Sequence, residues 1–112
     1  NPDLVIQKKL DVDDMLYVAL DEGKVAGTVM AGYDGHRGWI YSLAVSPDFR
    51  NKGIATKLLR YAEQMLAKSG CMKINLQILE NNAGVREFYL KNGYSVEARI
   101  SMGKQIPENI PE

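Results

Sequence analysis

Cysteine is nearly absent from this chain, whose 112 residues hold one, Cys71, beside one histidine, one tryptophan and four prolines. A lone thiol excludes an internal disulfide and suits a reducing compartment, so the expected location is cytoplasmic. No cysteine-pair or cysteine–histidine spacing for structural zinc occurs, and no metal is expected. Charge of one sign is lacking too, with fourteen basic residues balancing fourteen acidic ones. Without a global field or a clustered basic face, neither nucleic acid nor an anionic membrane is an expected partner, and any anion site has to be local. No apolar run approaches the ~20 residues that span a bilayer. The P-loop pattern G-x-x-x-x-G-K-[ST] and the dinucleotide fingerprint G-x-G-x-x-G are both missing, which removes the GTPase and dehydrogenase classes. What is present is an ordinary globular composition, 46% hydrophobic and 25% charged, with room for one domain over 1–112. The first residue is Asn1 rather than methionine, and an amino-terminal portion is expected to be missing.

The hydrophobic pattern changes period along the chain. Pro2 and Asp3 suit a helix start, and with Leu4, Val5 and Leu10 as apolar positions residues 1–10 read as a helix remnant. "MLYVAL" (15–20) and "KVAGTVMAGY" (24–33) are β-prone and flank "DEG", a hairpin turn. A second turn, "DGHRG" (34–38), leads to the strand "WIYSLAVS" (39–46), completing a three-stranded meander. After Pro47 the period becomes helical, with Ile54, Leu58, Leu59, Ala62, Met65 and Leu66 on one face until Ser69 and Gly70. "MKINLQIL" (72–79) alternates as a half-buried strand, and "GVREFYLKN" is a second helix stopped by Gly93. "YSVEARISMGKQI" (94–106) reads as one or two closing strands, and 107–112 as a tail. This order predicts a mixed α/β fold, mostly antiparallel, in which a crossover helix makes at least one strand pair parallel.

The segment "SPDFRNKGIATKLL" sets bare backbone and positive charge where the first long helix begins. A helix leaves its first four N–H groups without intrahelical partners and carries partial positive charge there, a seat for phosphate. Gly53 gives an anion access to the backbone, Ala55 keeps the next turn small, and Arg50 and Lys52 add charge. Taken alone, the stretch reads equally well as a solvated basic helix start with glycine for turn geometry.

Together, "LAVSPDFRNKGIATKLL" and "NNAGVREFYLKNGY" resemble the acetyl-CoA-binding motifs of the GCN5-related N-acetyltransferase (GNAT) family, and the likeness runs in order over about residues 14–104. The family pattern of Arg or Gln, two variable residues, Gly, one variable, then Gly or Ala is met by Arg50, Gly53 and Ala55. The resemblance implies the GNAT fold without its first strand and first helix. It also implies an acetyl-CoA-dependent N-acetyltransferase, in which N–H groups of Asn51, Lys52, Gly53, Ile54, Ala55 and Thr56 hold the pyrophosphate. The strand carrying Leu43 and Val45 is expected to bulge near those residues and to pair with the pantetheine arm; a plain core strand explains the same side chains.

The second motif, "NAGVREFY", aligns Asn82 with a residue contacting coenzyme A and Tyr89 with the general acid; Val85 stands where alanine is usual. Asn82 equally suits a helix N-cap, and Tyr89 a core position beside Phe88. A phenol, protonated at neutral pH, can give its proton to a departing thiolate. No base is evident. Trp39 and Gln77 occupy positions where relatives carry a carboxylate, Glu80 and His36 read as surface groups, and the amine's proton is expected to leave through ordered water or a group in the missing portion. Trp39 and Tyr41 are expected to face the acceptor, with core burial claiming one of them, and Tyr33 and Asp34 to extend that wall. Cys71 has no local histidine and reads as structural, which favours direct attack over a covalent enzyme intermediate. The reading is acetyl transfer to a primary amine, on a small molecule or a protein, with pairing of two chains among the assemblies the resemblance implies; the alternative is a catalytically silent acyl-CoA-binding module.

Overall fold

A computed structural model of the chain describes residues 4–8 and 15–109. The chain divides into two compact units, Asn1–Glu80 and Asn81–Glu112.

The first unit is a five-stranded sheet with one long helix. Its strands are β1 (Leu4–Lys8), β2 (Met15–Asp21), β3 (Lys24–Tyr33), β4 (Gly38–Val45) and β5 (Ile74–Leu76), in spatial order β1-β2-β3-β4-β5. The first four are antiparallel and β5 runs parallel to β4. That parallel pair requires a crossover, which α1 (Ile54–Lys68) supplies. The β2–β3 hairpin closes through Glu22 and Gly23, both at positive φ (51° and 80°), as a two-residue turn matching strand twist demands. Helix α1 packs on β2, β3 and β4. Leu58, Leu59, Ala62 and Leu66 are fully buried along its apolar stripe, against Val29 and Ala19 of the sheet. Tyr17 meets Tyr61 edge-to-face at 5.1 Å in the same layer.

Helix α1 ends in a Schellman motif. The Cys71 N–H donates to the Leu66 carbonyl (3.1 Å) and the Gly70 N–H to that of Ala67 (3.0 Å), with Gly70 at φ 98°. Leu66 and the Cys71 thiol then close over Gly38, where a Cβ would lie 2.7 Å from Cys71 Sγ. The thiol donates to the Lys73 carbonyl (3.1 Å), which fits a structural cysteine.

Three expectations from the sequence are corrected. Leu4–Lys8 is a strand on the β2 edge rather than a helix remnant; its β-branched Val5 and Ile6 join a ladder that an isolated single turn of helix could not match. Leu10 lies outside the described residues. Of 72–79 only Ile74–Leu76 is strand, because its partner β4 bulges immediately after Ile40, where the ladder stops. Residues 94–106 carry no strand: Val96, Ile100 and Met102 alternate as a strand would but stand exposed, and alternation makes a strand only beside a ladder partner.

The second unit is organised around α2 (Ala83–Lys91). Asn82 caps it, its Oδ1 accepting from the Val85 N–H at 3.2 Å. A second Schellman motif ends it, with Tyr94 N–H to the Tyr89 carbonyl (3.0 Å), Gly93 N–H to that of Leu90 (3.3 Å) and Gly93 at φ 92°. The apolar contact that accompanies such a cap is the Tyr89–Tyr94 ring pair, 5.4 Å apart.

The β3–β4 turn is held by Asp34, whose Oδ1 accepts from the N–H groups of Arg37 (2.7 Å) and His36 (2.8 Å). Those bonds, Arg37's first, hold its carboxyl below the ordinary value. A carboxyl depressed in the folded state stabilises that state above its ordinary range and loses the contribution as pH falls through the folded value. An NMR titration is therefore expected to place the Asp34 midpoint below those of exposed carboxyls, and a midpoint at or above them would exclude the turn. Packing on the sheet's helix face is testable at Gly27, where a Cβ would sit 2.7 Å from the Ala44 carbonyl oxygen and 2.9 Å from Leu58 Cδ1. Gly27→Ala is expected to cost about 1–3 kcal/mol in chemical denaturation, whereas an unchanged midpoint would mean that α1 stands farther from β3.

Candidate active site

In β4, Ile40 pairs with Ala31 and Ser42 with Met30, so Tyr41 is an extra residue. The expected bulge is therefore present but lies at Tyr41; Leu43, Ala44 and Val45 continue in regular register with Val29, Thr28 and Gly27. The insertion resets the alternation, so that Ile40 and Leu43, three residues apart, both lie on the α1 face. This follows from their partners: Gly38 abuts Leu66, and Leu43 pairs with Val29 beside Tyr17.

The same register decides where the backbone of β4 points. The Ser46 N–H donates to the Ala26 carbonyl (2.8 Å). Bonded pairs alternate in an antiparallel ladder, so Ser42 and Ala44 also face β3, and the N–H and C=O of Leu43 and Val45 face the other edge. Since β5 pairs only with Gly38–Ile40, that edge has no ladder partner among the described residues of the first unit from Tyr41 onward. The two residues expected to pair with the pantetheine arm are thus the ones whose backbone groups face an open edge. One position is partly used: Arg50 Nε donates to the Val45 carbonyl at 3.4 Å.

Arg50 also ties this edge to the start of α1. After a 3-10 turn at Pro47–Phe49 the chain passes through Asn51 and Gly53, both left-handed at φ 63° and 75°. The first intrahelical bond is Lys57 N–H to the Gly53 carbonyl (3.2 Å), leaving the N–H groups of Ile54, Ala55 and Thr56 without partners inside the helix. No acidic residue occupies the first turn, and a Cβ on Gly53 would meet nothing within 4 Å. Open backbone donors with no competing carboxylate fit a phosphate group. Ile54 offers only its backbone, its side chain being buried in the core. Lys52 is exposed with its ammonium 5.3 Å from the Phe49 ring, a cation held beside the turn.

Trp39 and Tyr41 share the sheet face turned away from α1. Trp39 is the cross-strand partner of Gly32, and a Cβ on Gly32 would lie 2.7 Å from Tyr41 Cε2. Neither is claimed by the core, contrary to expectation, because Gly38 and Ile40 supply the buried face there; Trp39 is half-buried and Tyr41 is 63% exposed. Tyr33 does not join them. It pairs with Gly38, and its hydroxyl lies 3.7 Å from where a Gly70 Cβ would be, at the far end of α1 and on the opposite face. Asp34 stands in the turn that leads into β4, and the nearby Trp39 side chain adds to the lowering of its pKa after the Arg37 and His36 N–H groups. Sequence reasoning passed over Arg37, whose guanidinium lies 6.0 Å from the Trp39 ring centroid. Its position two residues before Trp39, in the turn that leads into β4, was the available signal. His36 and Glu80 are exposed, as surface groups would be.

In the second unit, Asn82 spends its Oδ1 on the helix cap, which leaves its amide N–H groups to donate elsewhere. Val85 is 36% exposed, so the extra methyl groups have space. Tyr89 is 8% exposed and flanked edge-to-face by Phe88 and Tyr94. Burial pushes its phenol above the ordinary range, so it stays protonated throughout the neutral range.

Among the described residues no group of three or more His, Cys, Asp or Glu is placed to hold a metal ion, and no helix is long and apolar enough to cross a membrane.

Comparison with known proteins bears on family and fold. The model of the acetyltransferase (GNAT) family matches residues 2–94. An acetyltransferase of Pectobacterium atrosepticum is 43% identical over 110 residues, covering 97% of this chain and 78% of the relative. Among solved structures, an aminoglycoside acetyltransferase from an uncultured soil metagenomic sample superposes with a TM-score of 0.73 at 22% identity, over 86% of this chain and 67% of that one. A PaiA N-acetyltransferase from Thermoplasma acidophilum, solved with coenzyme A, gives 0.74 at 24% identity, over 80% and 57%. The structural likenesses show the fold, and the family model with the curated relative shows the lineage: this chain belongs to the GNAT family of acetyltransferases.

Proposed function

We propose that this chain moves the acetyl group of acetyl-CoA directly onto a primary amine, with Tyr89 as general acid. The observation that carries the reading is the open β4 edge at Leu43 and Val45, tied through Arg50 to the unpartnered N–H groups at the start of α1. The two features suit the two parts of one ligand. The peptide groups of Leu43 and Val45 can pair with the amides of the pantetheine arm, and an N–H on that edge can donate to a carbonyl oxygen that gains negative charge. Asn51, Lys52, Gly53, Ile54, Ala55 and Thr56, with Arg50, would hold the pyrophosphate, and Asn82 would donate to the arm.

Acetyl-CoA supplies an acyl group already activated as a thioester. Attack by the amine forms a C–N bond and breaks the C–S bond, so the sulfur needs a proton and the nitrogen must lose one. The Tyr89 hydroxyl gives the first. Neither Trp39 nor Gln77 can take the second, which passes to ordered water. Cys71 is turned into the fold with its thiol on a backbone carbonyl, which supports direct transfer over an acetylated cysteine.

Thermal unfolding with acetyl-CoA tests the donor site, with ATP as the control for nonspecific phosphate binding. At a hundred times its dissociation constant a ligand adds ~2.7 kcal/mol, a shift of roughly ten degrees for a domain this size. A shift with acetyl-CoA and none with ATP is expected; equal responses would sink the donor assignment. Tyr89→Phe keeps the ring packing and is expected to lower kcat about a hundredfold while leaving the melting shift intact. Because burial raises the phenol, its ionisation should add no alkaline limb to the wild-type pH profile below pH ~10. Full binding without turnover in the wild type would mark a silent acyl-CoA-binding module instead.

A further inference from the structure

The face of β4 turned away from α1 holds a charge that the acetyl-transfer machinery leaves unused. Arg37 is half-buried with its guanidinium over Trp39, and Tyr41 follows on the same face. Among the described residues no carboxylate forms an ion pair with Arg37. Asp34, the nearest acid in sequence, is already occupied: its Oδ1 accepts from the backbone N–H groups of Arg37 and His36. Asp34 therefore fixes the turn, and among the described residues the Arg37 charge is left without an ion-pair partner. Gly32 completes the surface, since the missing side chain lets the Tyr41 ring lie against β3. The result is two outward aromatic rings with one guanidinium at their end.

We propose that Arg37, Trp39 and Tyr41 bind the acceptor and select an amine that carries an anionic group, carboxylate or phosphate, remote from its reacting nitrogen. This inference rests on the acetyl-transfer reading above. Geometry sets the spacing. Arg37 sits over Trp39, the open edge offers its first outward backbone groups at Leu43, and four residues at ~3.3 Å each, less the bulge, separate them by on the order of 10 Å. An α-amino acid, with both charges on one carbon, is too short to reach both ends. A chain of several bonds between amine and acid spans the gap, with its apolar middle on the two rings. Arg suits either anion through its planar fork of donors, and it repels the second ammonium of a polyamine or aminoglycoside.

The test measures release of the coenzyme A thiol by the whole chain with four amines of matched length: aminohexanoate, aminohexyl phosphate, hexylamine and diaminohexane. The two anionic amines are expected to exceed hexylamine in kcat/KM by about tenfold, a modest ratio because the guanidinium is only half-buried, with diaminohexane weakest. Their ranking separates carboxylate from phosphate. Arg37→Gln should abolish the anionic advantage by raising KM for the two anionic amines far more than for hexylamine, and Arg37→Lys should restore part of it. Preference for diaminohexane, or an equal loss with all four amines in Arg37→Gln, would overturn the inference. If acetyl-CoA stabilises the chain yet no amine releases thiol, the acetyl-transfer reading fails. The inference is then decided by binding: aminohexanoate or aminohexyl phosphate must shift the melting of wild type and not of Arg37→Gln, and equal shifts overturn it.

Discussion

One inserted residue organises the first unit. Tyr41 has no partner of its own across the β3–β4 ladder, and an extra residue in a strand exchanges the faces of everything after it. Ahead of the bulge, Gly38 and Ile40 face α1 while Trp39 faces outward; behind it, Leu43 takes the helix side. The same kink ends the parallel ladder with β5 at Ile40, which leaves the Leu43 and Val45 backbone groups on an open edge. An outward aromatic face, an edge without a ladder partner and a continuous core thus follow from one local irregularity.

The core makes that irregularity affordable. Helix α1 buries Leu58, Leu59 and Leu66 against β2, β3 and β4, and at ~1.5–3 kcal/mol for each large apolar side chain this outweighs the ladder bonds a bulge forgoes. Close approach has a cost in side chains. Gly27 and Gly38 lie where a Cβ would strike the Ala44 carbonyl, the Leu58 methyl or the Cys71 thiol. Gly53 has the opposite reason to be glycine: space is free around it, and its backbone is left-handed. That conformation turns the chain into α1 with the first N–H groups uncovered.

In the second unit one residue serves both the packing and the helix cap. Tyr89 is the third residue from the end of α2, so its ring makes the contact with Tyr94 that accompanies the Schellman cap. The burial that this packing brings raises the phenol above its ordinary range. Core tyrosine and general acid are compatible descriptions, and the same holds for Asn82 as cap and as donor to a ligand.

The sequence alone determined the local elements. Periodicity placed β2, β3, β4 and α1 within a residue or two of their ends, and glycines marked both helix stops, because each depends on neighbours a few residues apart. Whatever depends on partners distant in the chain was decided by tertiary structure. Leu4–Lys8 became a strand because β2 offered an edge, and 94–106 did not become one although its alternation is regular. Tyr33 and Trp39, alike as aromatic strand residues, went to opposite faces because register, and not residue type, assigns a face. The shift of the bulge from Leu43–Val45 to Tyr41, and the placement of Arg37 over Trp39, likewise belong to the pairing of β3 with β4, which no single strand encodes.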